Sequence, residues 1–369
     1  MKSKHWFSQV PKQPRGMRYM NKDDISIVGA ARRLSQPKKP PRQAAKPRAE
    51  EKKTTMKAAA IDKFGPPSVL ELQMLPTPKP GPGEVLIELR AAGVGVWDRD
   101  IRGGWWPQGR PRFPLILGSD GAGIVVAKGV RVRRFREGDR VWAYEFINPK
   151  GGFYAEYAAV DAEHVGRLPR RLDFLHAGAS AVTGLTALQG IDDHLRVRKG
   201  DTVLIFGGSG AVGTLAVQFA KRRGAKVLGT ASGIEATKLV RSLGATGVFD
   251  TRSKNAVEQL KALAPDGINA VLALAGGNML ERCIDLVRPG GRVAHPNGVE
   301  PKPKKRKNFR LLAYDAAAGR REFERLNRAV EEAGLRVPIA AIYPLAQAAK
   351  AHQRLEKGHV LGRIVIEIN

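Results

Sequence analysis

The sequence predicts an α/β chain in which an open, doubly wound parallel sheet is joined to a smaller β-rich domain. Three observations carry that expectation. From about residue 179 onward, apolar runs of strand length alternate with stretches of helical period. Between residues 56 and 178 the apolar runs are short, close together and broken by Pro and Gly. At residues 202–213, TVLIFGGSGAVG, one such run opens into three spaced glycines and then a helix.

The chain begins with a basic segment. Residues 1–55 hold 15 lysines and arginines against four acids and carry +11 of the formal net charge of +28. Within it, QPKKPPRQAAKPRAEEKK (36–53) is too rich in Pro and Lys to support a core. The segment reads as an inert extension, or as translation upstream of a start at Met56. A flexible basic arm and an organellar presequence are the alternatives. The presequence is disfavoured by the lack of an Arg-rich amphipathic helix or a signal-type apolar core. From Met56 the pattern changes. MKAAAIDKFG opens as an alternating strand, and further strands are expected at 84–90, 121–127, 140–144 and 153–160, which together make a barrel-like domain. Later strands are expected at 202–206, 226–230, 248–250, 270–275 and 292–294, with crossover helices between them. PKPKKRKNFR (301–310) reads as a solvated basic loop, or more sharply as a phosphate-contacting patch. Helices at 320–333 and 345–355 and a strand at 362–368 complete the order. No apolar run is long enough to span a bilayer, so no membrane partner and a cytoplasmic location are expected. A single cysteine, Cys283, excludes an internal disulfide and a Cys-based zinc cluster.

The glycine spacing Gly208-x-Gly210-x-x-Gly213, directly after a β-branched run, points to a dinucleotide. The first glycine permits a tight turn, the second lets backbone approach a pyrophosphate, and the third lets helix pack on strand. Ser209, Ala211 and Val212 complete the turn, and the helix that follows aims its N-terminus at phosphate. Nucleotide type is read at the end of the second strand, where an acid would select a ribose 2′-hydroxyl. There the chain reads Thr230, Ala231, Ser232, Gly233, with no acid before Glu235 and with Lys238 and Arg241 on the next helix. Ser232 and Lys238 therefore favour NADP(H) over NAD(H). The alternative is that Lys238 and Arg241 are a solvated helix face.

These pieces carry a family resemblance. Over residues 56–369 the chain resembles the zinc-free quinone-oxidoreductase branch of the medium-chain dehydrogenase/reductases, the zeta-crystallin-like NADPH:quinone reductases. The matching segments run in the family's order and include MKAAAIDKFGPPSVLEL, GEVLIELRAAGVGVWDRDIRGG, FPLILGSDGAG, GGFYAEYAAV, AVTGLTAL, DTVLIFGGSGAVG and AHQRLEKGHVLGRIVI. The resemblance implies a GroES-like catalytic domain at 56–178, a Rossmann dinucleotide-binding domain at 179–317, a return to the catalytic domain at 318–369, and a homodimer. Zinc-dependent relatives place a ligand Cys where Gly95 stands and a His-Glu pair where Ser119 and Asp120 stand. Neither Gly95 nor Ser119 offers a thiolate or imidazole, and the seven histidines show no metal spacing, so no metal and no Lewis acid are expected.

What the resemblance leaves is hydride transfer by placement. It puts Thr183 and Thr186 near the nicotinamide, Ala275 and Gly276 against the cofactor's other side, and Asn297 and Gly298 toward the carboxamide. For the two threonines, hydroxyls satisfied by their own helix are the alternative. The family's Asn-x-x-Asp-x-Tyr reads here Gly95, Val96, Trp97, Asp98, Arg99, Asp100, so the Asp is kept while the Asn and Tyr are lost. Asp98 either orients ribose or a water as a catalytic group, or caps the helix that begins there. Trp97, Trp105, Tyr144 and Phe146 are the candidate lining of a cleft for a flat conjugated ligand, with Tyr144 the candidate proton donor. The expected activity is zinc-independent, NADP(H)-dependent reduction of a quinone, enone or related small carbonyl compound. The second reading is a nucleic-acid-associated protein on the same scaffold, using the basic tail and loop. It ranks lower because aromatics are not interleaved with the basic runs.

Overall fold

The computed structural model describes residues 54–107 and 109–369, and the readings of the basic tail lie outside the described residues. In chain order the first part runs β1 (Thr55–Ile61), β2 (Glu71–Pro76), β3 (Glu84–Val94), α1 (Val96–Arg102), β4 (Leu115–Ile116), β5 (Asp120–Lys128), β6 (Arg140–Tyr144), β7 (Tyr157–Asp161), β8 (Val165–Arg167) and α2 (Phe174–Gly178). Helix α3 (Ala181–Gln189) leads into β9 (Thr202–Phe206), α4 (Ala211–Arg222), β10 (Lys226–Thr230), α5 (Ile234–Ser242), β11 (Gly247–Phe249), α6 (Ala256–Leu263), β12 (Ile268–Ala273), α7 (Asn278–Ile284), β13 (Val287–Pro296) and β14 (Phe309–Tyr314). The chain closes with α8 (Arg320–Ala333), β15 (Ile339–Pro344), α9 (Ala348–Glu356) and β16 (Arg363–Glu367).

Strands β9 to β14 form one six-stranded parallel sheet in the order β11-β10-β9-β12-β13-β14, the Rossmann order. The continuous apolar run of β9 follows from burial on both faces. Val203 and Ile205 enter a core shared with α3, α4 and α8, while Leu204 and Phe206 point the other way and pack with α6 and α7. The sheet has one strand more than the sequence leads one to expect. β14 starts inside the basic run at 301–310, and as the edge strand it buries too little to show an apolar signal.

The β-rich part holds a sheet ordered β15-β16-β3-β5-β6-β8, with β7 pairing β3, and a smaller sheet ordered β2-β1-β4. Because β16 lies antiparallel to β3, the end of the chain returns to the first part. Within the parallel-sheet part, hydrogen bonds tie α3 to the end of β14 and the residues just after it. The Tyr314 hydroxyl donates to the Thr186 carbonyl at 2.9 Å, and the Gln189 amide both donates to the Ala317 carbonyl and accepts its N–H, at 2.8 and 2.9 Å. The Gly362 N–H donates to the Ser209 carbonyl at 2.9 Å, so the segment leading into β16 touches the glycine turn directly.

Candidate active site and nucleotide-binding turn

Strand β9 runs straight into the turn. Gly207 sits at φ +96°, a region an L side chain rarely adopts. Its N–H donates to Thr230 Oγ1 at 2.8 Å, and that of Gly208 donates to the Thr230 carbonyl at 3.1 Å. The tight-turn residue is therefore Gly207 rather than Gly208, and the Gly-Gly doublet is the sequence signal for it. A Cβ at Gly213 would overlap the Gly207 carbonyl oxygen, so the helix can pack on the turn only through a glycine. Gly210 caps α4, and Ala211 and Val212 stand half-exposed in its first turn, whose N–H groups have no intrahelical acceptor. These residues fit a dinucleotide pyrophosphate.

The residues at the end of β10 are already engaged. The Ser232 hydroxyl donates to Asp250 Oδ1 at 3.1 Å and the Gly233 N–H to Oδ2 at 3.2 Å. Arg252 also binds both oxygens, through Nε at 3.2 Å and Nη2 at 3.0 Å. Arg252 above all holds the Asp250 carboxyl well below the usual carboxylate range. Lys238 pairs with Glu235 at 3.0 Å on the exposed face of α5. Asp250 escapes the spacing rule because this acid arrives from the end of β11 instead of β10.

On the β-rich side, a buried polar network surrounds the start of α1. The capping residue, Gly95, has no side chain, so Asp98 reaches back and accepts its N–H at 2.8 Å. The same carboxylate accepts from the Ser119 and Tyr154 hydroxyls, each at 3.2 Å, and Tyr154 in turn lies 3.3 Å from His352 Nε2. Asp98 is 0 % exposed, and burial raises its pKa to about 7 against the opposing pull of the Gly95 N–H and Arg363. The Trp97 indole N–H donates to Ser119 Oγ at 3.0 Å, and its ring fills the volume that a Cβ at Gly95 would need. Behind it, Arg363 donates to Asp120 Oδ1 at 2.8 Å and lies over the Trp97 ring at 5.1 Å. Both partners of this ion pair are buried. Arg363→Met would leave the Asp120 carboxyl without its cation, and urea unfolding is expected to show a loss of about 3–5 kcal/mol.

Phe146 lines a small cavity of about 20 Å³ together with Asp98, Trp106, Leu117 and Ser119. Trp105 is 52 % exposed and leans on Phe146 from outside, ring centroids 6.0 Å apart. Tyr144 ends β6 as the ladder partner of Asp120. Its hydroxyl makes no hydrogen bond among the described residues. Burial, then the fields of Asp120, Asp315 and Asp98, push its pKa up, so the phenol stays protonated.

The two family models that match are the alcohol dehydrogenase GroES-like domain, over residues 81–170, and the zinc-binding dehydrogenase, over residues 243–366. Quinone oxidoreductase from Mus musculus is 32% identical over 317 residues, covering 82% of this chain and 95% of its own. The chain belongs to the quinone-oxidoreductase-like branch of the medium-chain dehydrogenase/reductases. It is an oxidoreductase with a GroES-like part and a Rossmann part. Two solved members of the superfamily share its fold. Quinone oxidoreductase from Coxiella burnetii has a TM-score of 0.76 at 31% identity, covering 85% of this chain and 100% of that one. Mycobacterial Rv1454c, complexed with NADPH, has a TM-score of 0.75 at 28% identity, covering 85% and 99%.

In this oxidoreductase the remaining family positions gather at the C-terminal ends of the parallel strands, where such sheets bind ligands. Ala275 and Gly276 follow β12, with the Pro301 carbonyl where a Cβ at 276 would lie. Asn297 and Gly298 follow β13, and Asn297 donates from Nδ2 to Asp315 at 2.8 Å. Thr183 and Thr186 lie in α3, but their hydroxyls donate to the Ala179 and Val182 carbonyls at 3.1 and 2.8 Å, the self-bonded alternative. In the basic loop, Arg306 pairs with Glu281 and Asp285 at 2.8 and 2.9 Å and pins the segment to α7 and the residue that follows it. Tyr154, His352 and Arg363 were not legible as site residues. They come from distant segments, and a lone Arg in the closing apolar run is the only hint of the last. Among the described residues no three His, Cys, Asp or Glu side chains are grouped to hold a metal ion, and no helix is long and apolar enough to cross a membrane.

Proposed function

We propose that this oxidoreductase works without zinc, uses NADP(H), and reduces a quinone, enone or related carbonyl compound. On this reading residues 56–178 and 318–369 form the catalytic domain, residues 179–317 the nucleotide domain, and the protein acts as a cytoplasmic homodimer. The observation that carries it is the filling of the metal position: the Trp97 indole occupies the side-chain space at Gly95, and Ser119 is held between Trp97 and Asp98. That donor set does not fit a zinc ion. The glycine turn fits the nucleotide, and NADP(H) supplies the hydride when bound.

The chain's own residues then orient and exclude water. Gly208, Ser209, Gly210, Ala211, Val212 and Gly213 hold the pyrophosphate, with Ala275, Gly276, Asn297 and Gly298 flanking the nicotinamide. Thr183 and Thr186 act by shaping α3 behind it. Phe146, Trp105 and Trp97 border the site for a flat substrate. Tyr144, without a protein partner among the described residues, is the candidate hydrogen-bond donor to the substrate oxygen; its raised pKa makes the phenol a weak acid, which suits it to polarising that oxygen rather than to giving up its proton. Asp98 positions Ser119 and α1. The test is NADPH oxidation against a panel of small quinones and enones, with and without a zinc chelator. Turnover unaffected by the chelator is expected, and turnover abolished by it and restored by zinc would overturn the reading.

Nucleotide choice turns on Asp250. Its carboxylate holds Ser232, Gly233 and Arg252, and these, with Lys238, which pairs with Glu235, are the donors that a 2′-phosphate would need. Asp250→Asn removes a repelling charge and releases Arg252. The NADPH-to-NADH affinity ratio is expected to rise about tenfold in a fluorescence titration. An unchanged ratio would place Asp250 away from the ribose.

A further inference from the structure

The parallel sheet carries a second cavity, on a part of the fold that the nucleotide turn does not use. It measures about 140 Å³ and is lined by Asp193, His194, Arg196, Arg292, Arg310 and Leu312. Arg292 on β13 and Arg310 near the start of β14 are register partners, so their side chains leave the same face of the sheet. Arg196 comes from the segment just after the single π-type turn (Gly190–His194) that ends α3. Three arginines therefore line one cavity, and Arg292 Nη1 donates to the Arg196 carbonyl at 3.5 Å.

Their charge is not matched by acids within it. Asp193 is the lining carboxylate, and both its oxygens are taken by Arg325, at 2.9 and 2.7 Å. Arg292 pairs through Nη2 with Asp201 at 2.8 Å, yet its Nε is buried with no partner. Arg196 reaches only the Asp193 backbone carbonyl, at 3.4 Å. Arg310 makes no hydrogen bond or ion pair among the described residues. His194 stacks on Tyr314 at 4.3 Å, and burial lowers its pKa, so it adds a flat neutral wall beside Leu312.

We propose that this cavity binds a dianionic phosphoryl group, as free phosphate or a phosphate monoester, between Arg196, Arg292 and Arg310. Guanidinium forks match phosphate oxygens in pairs, which suits them to this ligand better than to chloride or a monocarboxylate. An anion would also supply the counter-charge that Arg196 and Arg310, which pair with no acid among the described residues, lack. The volume accommodates a phosphoryl group and waters around it. The site does not depend on the assignment of NADP(H) or of substrate.

The test is calorimetric titration of the full-length protein, saturated with NADPH, with inorganic phosphate and separately with phenyl phosphate at constant ionic strength. Saturable binding is expected, weakened at least about tenfold in both Arg310→Ala and Arg196→Ala, with NADPH affinity unchanged. Arg310 and Arg196 are exposed, so their removal leaves the core intact, which thermal melting without phosphate checks. Tighter binding of phenyl phosphate would assign the apolar wall of His194 and Leu312 to a monoester; equal or weaker binding would assign the site to free phosphate. No saturable heat, or binding by both variants equal to that of the parent protein, would overturn the proposal.

Discussion

Gly213→Ala is expected to weaken NADPH binding at least about a hundredfold, roughly 2.7 kcal/mol, and to lower stability by about 1–3 kcal/mol. The new methyl group would overlap the Gly207 carbonyl oxygen, which is backbone and cannot swing aside. Either α4 retreats from β9 or the turn opens. Retreat is opposed because Leu215, Ala216 and Phe219 are locked in the core with α3 and α8. Either movement carries the open N–H groups of the first helical turn away from the pyrophosphate. Gly210→Ala is the discriminating control. Its φ is −78° and the nearest atom to an added Cβ is 3.6 Å away, so unfolding should be unchanged even where the methyl group hinders the ligand. Urea unfolding of the two variants, beside nucleotide titration, checks both halves. Equal stability of Gly213→Ala and the parent protein would mean the turn is not packed as described.

Asp98→Asn is expected to change the pH dependence of stability more than its value at neutral pH. The folded protein keeps a proton on Asp98 up to about pH 7, whereas an ordinary aspartate loses it near 3.8. Between those limits the folded state binds more protons, so stability falls as pH rises, by about 4 kcal/mol once both states are ionised. His352 works in the opposite sense. Burial, with Arg102 and Arg99, lowers its pKa from 6.5 to about 3, so stability is lost as pH falls through that window. Where the windows overlap these two slopes oppose each other. The raised carboxyls of Asp120 and Glu145 are common to both proteins, so the variant differs from the parent by the loss of the Asp98 slope, and its stability relative to the parent should climb from about pH 4 to about pH 6.5. The amide can still accept the Gly95 N–H, so α1 keeps its start. Urea midpoints measured across that range check it, and a variant with the same pH slope as the parent protein would contradict the account of Asp98.

What was legible in the sequence is what depends on neighbours in the chain. β9, the glycine turn and α4 form one local unit, and the apolar run, spacing and amphipathic period all report on it. Helix α8 is likewise readable because Phe323, Leu326 and Val330 mark one buried face. Strand β14 hides behind a basic start and β15 behind a half-exposed pattern, since edge strands bury little. The polar network at Asp98 joins residues 119, 154 and 352, and the Asp120 pair needs residue 363, so only the tertiary fold brings those groups together. Ser232 was legible as an open hydroxyl, but its capture by Asp250 requires β11 to lie beside β10.

The most direct test of the account is fluorescence titration of the protein with NADPH and NADH, followed by NADPH oxidation against quinones and enones. Saturable binding of a nicotinamide nucleotide, with NADPH preferred and turnover of at least one conjugated carbonyl, is the expected result. Binding of neither nucleotide would contradict the central claim that the glycine turn and its parallel sheet serve hydride transfer.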